Sequence, residues 1–388
     1  MIEVDTDSFF AIVVVAAVAA VTAAAVPKRL APPVVVLELI LGIVIGPEVL
    51  GLARSDDFVE FFANLGLGML FFFAGYEIDF ERIKGRPLRL GALGWLLSVA
   101  LAYGIGGALA AAGVVLSYLY VGSAMATTAI GTLIPILRDN GELKTPFGTY
   151  LLAAGGAGEL GPILLVTLVL STANPLHEAV VLLAFVGLAL ALALISVRLG
   201  WRGWPALERT FESSSQLAVR ITVVLIFGLV LLAGSLGLDI LLGGFVAGMI
   251  TRLALKGQEL QVFESKLTAV GFGFFVPFFF VASGIEFDLA ALGSLGAIAK
   301  LALFFVLFLV VRGTPAMLLY RGVLSARDRA ALAFYSATEL PLVVAITTIA
   351  TEGGHMRTST AAGLVGAAML STLIFPFVGL GLRKRSEA

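Results

Sequence analysis

Four stretches carry the side chains able to do chemistry in an otherwise apolar chain. "SAMATTAIGTLIP" (123–135) holds Thr127 and Thr128, "AAGGAGELGPILL" (153–165) holds Glu159, "VVRGTPAML" (310–318) holds Arg312, and "SATELPLVV" (336–344) holds Glu339. A charge at the centre of a bilayer costs roughly 2.5–3.5 kcal/mol on insertion scales, so such groups face partners or water inside the protein. Uncompensated, Glu159, Arg312 and Glu339 would together cost on the order of 8–10 kcal/mol, and mutual pairing of Arg312 with Glu339 is the expected relief. Glu159 has no basic residue in its own segment. For any buried carboxylate, burial favours the neutral form and a nearby cation favours the charged form. Where the two balance near neutrality, a proton and a hard monovalent cation compete for one site. The expected site is therefore Glu159 with Thr127 and Thr128, whose hydroxyls and nearby freed carbonyls would replace the hydration shell of Na⁺ or K⁺.

The surroundings of these residues set the class of the protein. The chain has 388 residues, 60% of them hydrophobic and 13% charged, and a mean hydropathy of +1.06, whereas soluble domains carry about 25% charged residues. That is the composition of an all-α polytopic membrane protein. There is no cysteine, hence no disulfide, thiolate metal site or thiol switch. His177, at the edge of a predicted span, and His355, in a predicted connection, stand far apart in the chain, which argues against a histidine metal cluster. No second catalytic carboxylate shares the Glu159 segment, and no metal-ligand spacing or nucleophile motif occurs, so an intramembrane enzyme is not expected. Neither a cofactor nor a nucleic-acid partner is expected.

Runs long enough to span a bilayer as helices lie near 8–26, 32–50, 59–76, 90–113, 118–136, 147–170, 175–197, 217–235, 238–254, 268–285, 293–320, 330–350 and 358–382, thirteen in all. The acidic start "MIEVDTD" marks the first as a retained helix, and "RKRSEA" directly after the last leaves no room for a soluble regulatory domain. Connections after the odd-numbered spans hold twenty-one of the 25 basic residues; opposite them stand only Arg54 and Arg357, with Lys300 and Arg312 inside a span. The positive-inside rule then puts the N-terminus outside and the C-terminus in the cytoplasm, with the plasma membrane as the expected location. Lys300 is expected to snorkel to the outer surface, and Glu38, in the second span, to line a cavity.

The chain also repeats itself. "FFFAGYEIDF" (71–80) matches "FFVASGIEFDL" (279–289), and "LILGIVIG" (39–46) matches "ILLGGFVAG" (240–248). Both matches are seven spans apart. Seven is odd, so the copies cross the membrane in opposite directions: 8–170 forms one six-helix repeat, 217–382 its inverted copy, and 175–197 the linker helix. The whole of 1–388 is then a single membrane transport domain. Inverted repeats are typical of secondary transporters, whose sites lie at mid-membrane where discontinuous helices meet. The glycines together with Pro135, Pro162 and Pro341 predict such interruptions in the fifth and sixth spans and in their partners, the twelfth and thirteenth.

The segment "SAMATTAIGTLIPILRDNGELKTPFGTYLLAAGGAGELGPILL", followed in order by "VPFFFVASGIEFDL", "VVRGTPAML" and "ALAFYSATELPLVVAI", resembles the monovalent cation:proton antiporters, in the branch of bacterial Na⁺/H⁺ antiporters and K⁺ efflux proteins. The resemblance covers nearly the whole chain. It implies the sodium/proton antiporter fold, transport of Na⁺ or K⁺ against H⁺, and a homodimer in which a core domain slides against a dimerisation domain. A separate cytoplasmic regulatory subunit is a further implied partner. By position, Glu159 stands at the family's ion-binding aspartate, Arg312 at its intramembrane Lys or Arg, Thr127 and Thr128 in the first broken helix and Glu339 in the second. Where many members have Asp-Asp, Asn-Asp or Gln-Asp, this chain has Gly158-Glu159. A single titrating group favours electroneutral, one-for-one exchange. A gated K⁺ or H⁺ channel and an inactive sensor are the alternative readings of the same residues.

Overall fold

This computed structural model describes residues 5–26, 33–78, 80–169, 216–236, 238, 240–254 and 258–384, with parts of 180–194. The helices are α1 Thr6–Ala25, α2 Val34–Ile45, α3 Asp57–Tyr76, α4 Arg86–Ala111, α5 Tyr118–Met125, α6 Ile130–Asp139, α7 Pro146–Val169, α8 Leu217–Ser235, α9 Ile240–Ala254, α10 Gln258–Val270, α11 Val276–Ile285, α12 Leu295–Leu319, α13 Ala326–Ser336, α14 Pro341–Glu352 and α15 Thr358–Lys384. Local chemistry fixes many starts. Asp56, Ser294 and Ser325 each accept a backbone N–H from the first turn of the helix they precede, the usual side-chain answer to the orphan donors there. Eight candidate spans among the described residues are long and apolar enough to cross a membrane, one running from α10 through α11 and one from α13 through α14. The expected linker 175–197 and His177 fall largely outside the described residues.

Packing sorts the helices into two modules. In one, α9 lies on α3, α11 on α2 and α3, and α8 on α9; in the other, α4 packs on α7, α12 on α4 and α15, and α13 on α12 and α15. The inverted repeat is visible in the first module. Exchanging the second span with the ninth and the third with the tenth converts the α2–α11 contact into the α9–α3 contact. The duplicated glycines make both crossings. A Cβ at Gly42 would strike Val281 O and Gly284 Cα, and one at Gly248 would strike Phe72 O and Gly75. Both pairs of helices thus pass backbone against backbone, as small-residue interfaces permit in membranes.

In the second module the fifth span breaks at 126–129, between α5 and α6, and the twelfth at 337–340, between α13 and α14. The prolines do less than the sequence suggests. Pro341 opens α14 at a position where its missing N–H costs nothing, but Pro135 lies within α6 and Pro162 within α7, which runs unbroken from 146 to 169. The interruptions expected in the sixth and thirteenth spans are therefore absent, α15 likewise running unbroken from 358 to 384, and the proline of the sixth serves another purpose described below. On the face that carries most of the basic connections, a buried ion cluster ties this module together. Arg383 Nη2 meets Glu142 Oε2 at 3.0 Å and Arg383 Nη1 meets Asp328 Oδ1 at 2.6 Å, with the guanidinium 4.5 Å above the Phe147 ring.

Candidate functional site

The two breaks cross inside the second module, and the crossing is stitched by backbone groups. Ala129 N donates to Thr338 O at 2.8 Å, and Thr128 N donates to Gly158 O at 3.0 Å. The second bond follows from Pro162. Gly158 O is the carbonyl four residues before a proline, so it has no helical donor of its own and takes the N–H of Thr128 instead. Pro315 repeats the device in α12. It frees Val311 O, which accepts from Ser98 Oγ at 3.1 Å.

Arg312, 4% exposed, gathers these pieces. Its Nε and Nη2 donate to Thr128 Oγ1 at 3.0 and 2.7 Å, and its Nη1 to Ser98 Oγ at 3.1 Å. Longer bonds run to Ser336 O at 3.4 Å and Ala154 O at 3.3 Å. Thr128 Oγ1 in turn donates to Ser336 O at 2.6 Å. A hydroxyl has one proton and two lone pairs, so Thr128 has nothing left for a cation. Thr127 donates to Ala124 O at 3.0 Å and lies beside the Glu339 carboxyl.

Glu159 is arranged differently. Only 6% of it is exposed, and its Oε1 accepts from Gly131 N at 3.3 Å, with Ile130 N close by. These are the first N–H groups of α6, where a helix welcomes negative charge. Its Oε2 has no hydrogen-bond partner among the described residues. Glu159 lines a narrow cleft between the modules, walled by Leu70, Phe71 and Ala74 of α3 on one side and by both helix breaks on the other.

Glu339 is fully buried. Ser371 Oγ and Thr372 Oγ1 each donate to its carbonyl at 3.1 Å, and its N–H returns to Ser371 Oγ at 3.0 Å. Neither carboxylate oxygen has a hydrogen-bond partner among the described residues. The expected Arg312–Glu339 contact is not made. The donors of Arg312 are taken by hydroxyls and carbonyls, and the Glu339 backbone is pinned to α15, so the two act on each other only at longer range. Lys300 reaches Ser359 Oγ at 3.3 Å and Thr360 Oγ1 at 3.2 Å, near the start of α15, as a snorkelling lysine would. Glu38 is buried in α2 and is not among the residues lining the cleft.

Sequence reasoning missed Ser98, Ser371 and Thr372. Ser98 was legible as a lone hydroxyl in the apolar run "GWLLSVALA", and Ser371-Thr372 as a hydroxyl pair in the span that the repeat equates with the one carrying Glu159.

Comparison with known proteins agrees with this architecture. A putative Na⁺/H⁺ antiporter, YjbQ of Bacillus subtilis, is 26% identical over 379 residues, covering 92% of this chain and 60% of that protein. The Na⁺/H⁺-K⁺ antiporter GerN of Bacillus cereus is 29% identical over 274 residues, covering 69% of this chain and 68% of its own length. The chain therefore spans about three-fifths to two-thirds of the length of these relatives. The solved structure of the sodium proton antiporter MjNhaP1 from Methanocaldococcus jannaschii superposes with a TM-score of 0.62 at 17% identity, covering 98% of this chain and 97% of that one. The family model for the sodium/hydrogen exchanger transmembrane region matches residues 14–379, and the chain belongs to that family.

Proposed function

We propose that the chain is a secondary antiporter that exchanges Na⁺ or K⁺ for H⁺ by alternating access, with Glu159 as the shared cation and proton site. The observation that carries this reading is the asymmetry of one carboxylate in the cleft wall: Oε1 rests on the α6 N-terminus, while Oε2 is buried with no hydrogen-bond partner among the described residues. An acid held by one oxygen presents the other to whichever of H⁺ or an alkali cation arrives. The relatives named for Na⁺/H⁺ and K⁺ exchange favour the same substrates. Alternating access would come from the second module moving against the first, carrying the cleft wall that holds Glu159. Arg312 fixes the crossover, and with Glu339 it supplies opposed charges within the fold. Thr127 retains a lone pair for the cation, whereas Thr128 acts through Arg312.

One titrating group implies one proton per cation and no net charge moved. We place the protein in the plasma membrane as a homodimer, N-terminus outside and C-terminus inside; a separate regulatory subunit on the basic face fits the same scheme. In proteoliposomes an imposed ΔpH should drive Na⁺ or K⁺ uptake, and Glu159→Gln should abolish it while leaving a folded protein. Normal exchange by that variant refutes the assignment. Moving one net charge through 100 mV is worth about 2.3 kcal/mol, so a rate that follows an imposed potential overturns the stoichiometry.

A further inference from the structure

The transport reading leaves the cation short of ligands. Of the side-chain oxygens lining the cleft, those of Thr128 are consumed by Arg312 and Ser336. The Glu159 carboxylate and Thr127, which also sits beside Glu339, remain, along with a hydroxyl that no sequence motif marks: Thr132, half-buried in the first turn of α6 and part of the cleft wall.

Several threonines inside the helices of this protein hand their proton to the carbonyl four residues back. Thr22 does so to Val18 O at 2.7 Å, Thr251 to Ala247 O at 2.8 Å, Thr314 to Val310 O at 2.6 Å and Thr351 to Thr347 O at 2.8 Å. Thr132 cannot follow them. Four residues back is Thr128, which lies in the break, and helical bonding in α6 starts only with Leu133 N to Ala129 O at 3.3 Å. Among the described residues its hydroxyl makes no hydrogen bond. It stands beside Gly131, whose N–H holds Glu159 Oε1, so carboxylate and hydroxyl belong to one wall of the same cleft.

We infer that Thr132 is a ligand of the transported cation and sets its selectivity, its oxygen completing the shell begun by Glu159 Oε2. This rests on the antiport reading, and it assigns the break a division of labour. Thr128 positions Arg312, and Thr132, one turn on, meets the ion. A hydroxyl is a neutral donor whose loss removes one oxygen of coordination without altering the proton site, so its signature is in cation affinity and not in the number of protons exchanged.

The test is exchange by reconstituted Thr132→Val and Thr132→Ser variants with Li⁺, Na⁺ and K⁺, beside the wild type and Glu159→Gln. Thr132→Val should raise the KM for the preferred cation roughly tenfold, the effect of losing one moderate polar contact to an ion, while turnover at saturation stays within about twofold. The order of preference among the three cations should change, and Thr132→Ser should restore both readings. A merely structural threonine would alter turnover or melting temperature without a cation-specific change in KM. Should the valine variant not fold, Thr132→Ala is read in the same way. A folded variant with wild-type KM for all three cations overturns the inference while Glu159→Gln still abolishes exchange. Absence of alkali-cation exchange by the wild type defeats the antiport reading itself.

Discussion

Arg312 occupies the space that a side chain at position 158 would need. A Cβ built on Gly158 would strike Arg312 Nη2 and come within 2.6 Å of Thr128 Oγ1. The missing polar group at this position is thus balanced by the guanidinium, which leans over the bare Cα and reaches Thr128. Gly158→Ala should therefore destabilise the protein by about 1–3 kcal/mol, the range for overpacking a filled site. The two residues also compete for one volume, so Gly158→Ala combined with Arg312→Ala should cost less than the sum of the separate changes. Thermal melts of the four proteins in detergent measure this. Strict additivity would show that the contact carries no energy.

The prolines lend themselves to a different test. In Pro162→Ala the new N–H at 162 competes with Thr128 N for Gly158 O, so a helical bond is gained at the expense of the stitch between α7 and the break. Pro in a helix interior is about 3 kcal/mol worse than Ala, and one hydrogen bond is worth about 1 kcal/mol. The variant should therefore melt no lower than wild type yet exchange ions more slowly, because the crossover that positions Glu159 is loosened. Unchanged turnover would mean that the freed carbonyl has no part in holding the site.

Much of this was legible before any coordinates, for identifiable reasons. Hydrophobic runs have only one way to satisfy their backbone in lipid, and the glycines of "LILGIVIG" and "ASGIEFD" must face something, which turned out to be the partner copy's backbone. The isolation of Glu159 among small residues marked it equally clearly. What the sequence hid were interactions between distant segments. No local pattern tells that Gly158 O would bond Thr128 N, or that Arg312 would choose Thr128 and Ser98 over Glu339. A proline reads as a helix break from sequence, but in α7 Pro162 leaves the Gly158 carbonyl open as an acceptor for another chain segment.

The ion cluster on the basic face should be structural. Glu142 is 5% and Arg383 6% exposed, and removing one partner of a buried pair leaves the other charge without compensation, typically costing 3–5 kcal/mol. Glu142→Gln should thus lower the melting temperature clearly, by about 3 kcal/mol of stability. Asp328→Asn should cost less, since Asp328 is the more exposed carboxylate and takes one bond from Arg383 where Glu142 takes three. Exchange by whatever fraction remains folded should keep its cation KM. An unshifted melt for Glu142→Gln would remove the cluster from the account of stability.

The opposite face carries a group whose ionisation opposes folding at neutral pH. Glu286, just beyond the end of α11, accepts from Ser55 Oγ at 2.5 Å. Burial pushes its carboxyl above the usual value of 4.5; the Ser55 bond pulls it back in part, and the neighbouring Glu60 and Glu352 push it up again. A carboxyl that holds its proton more tightly when folded than unfolded makes stability fall as pH rises from the unfolded pKa through the folded one. Below about pH 4 both states are protonated and the effect vanishes. Glu286→Gln keeps an acceptor for Ser55 and cannot ionise, so it should melt higher than wild type at pH 8 and match it at pH 4. A gap that is the same at both pH values, or that opens on acidification, would show that the charge on Glu286 is stabilised by its surroundings and not opposed by them.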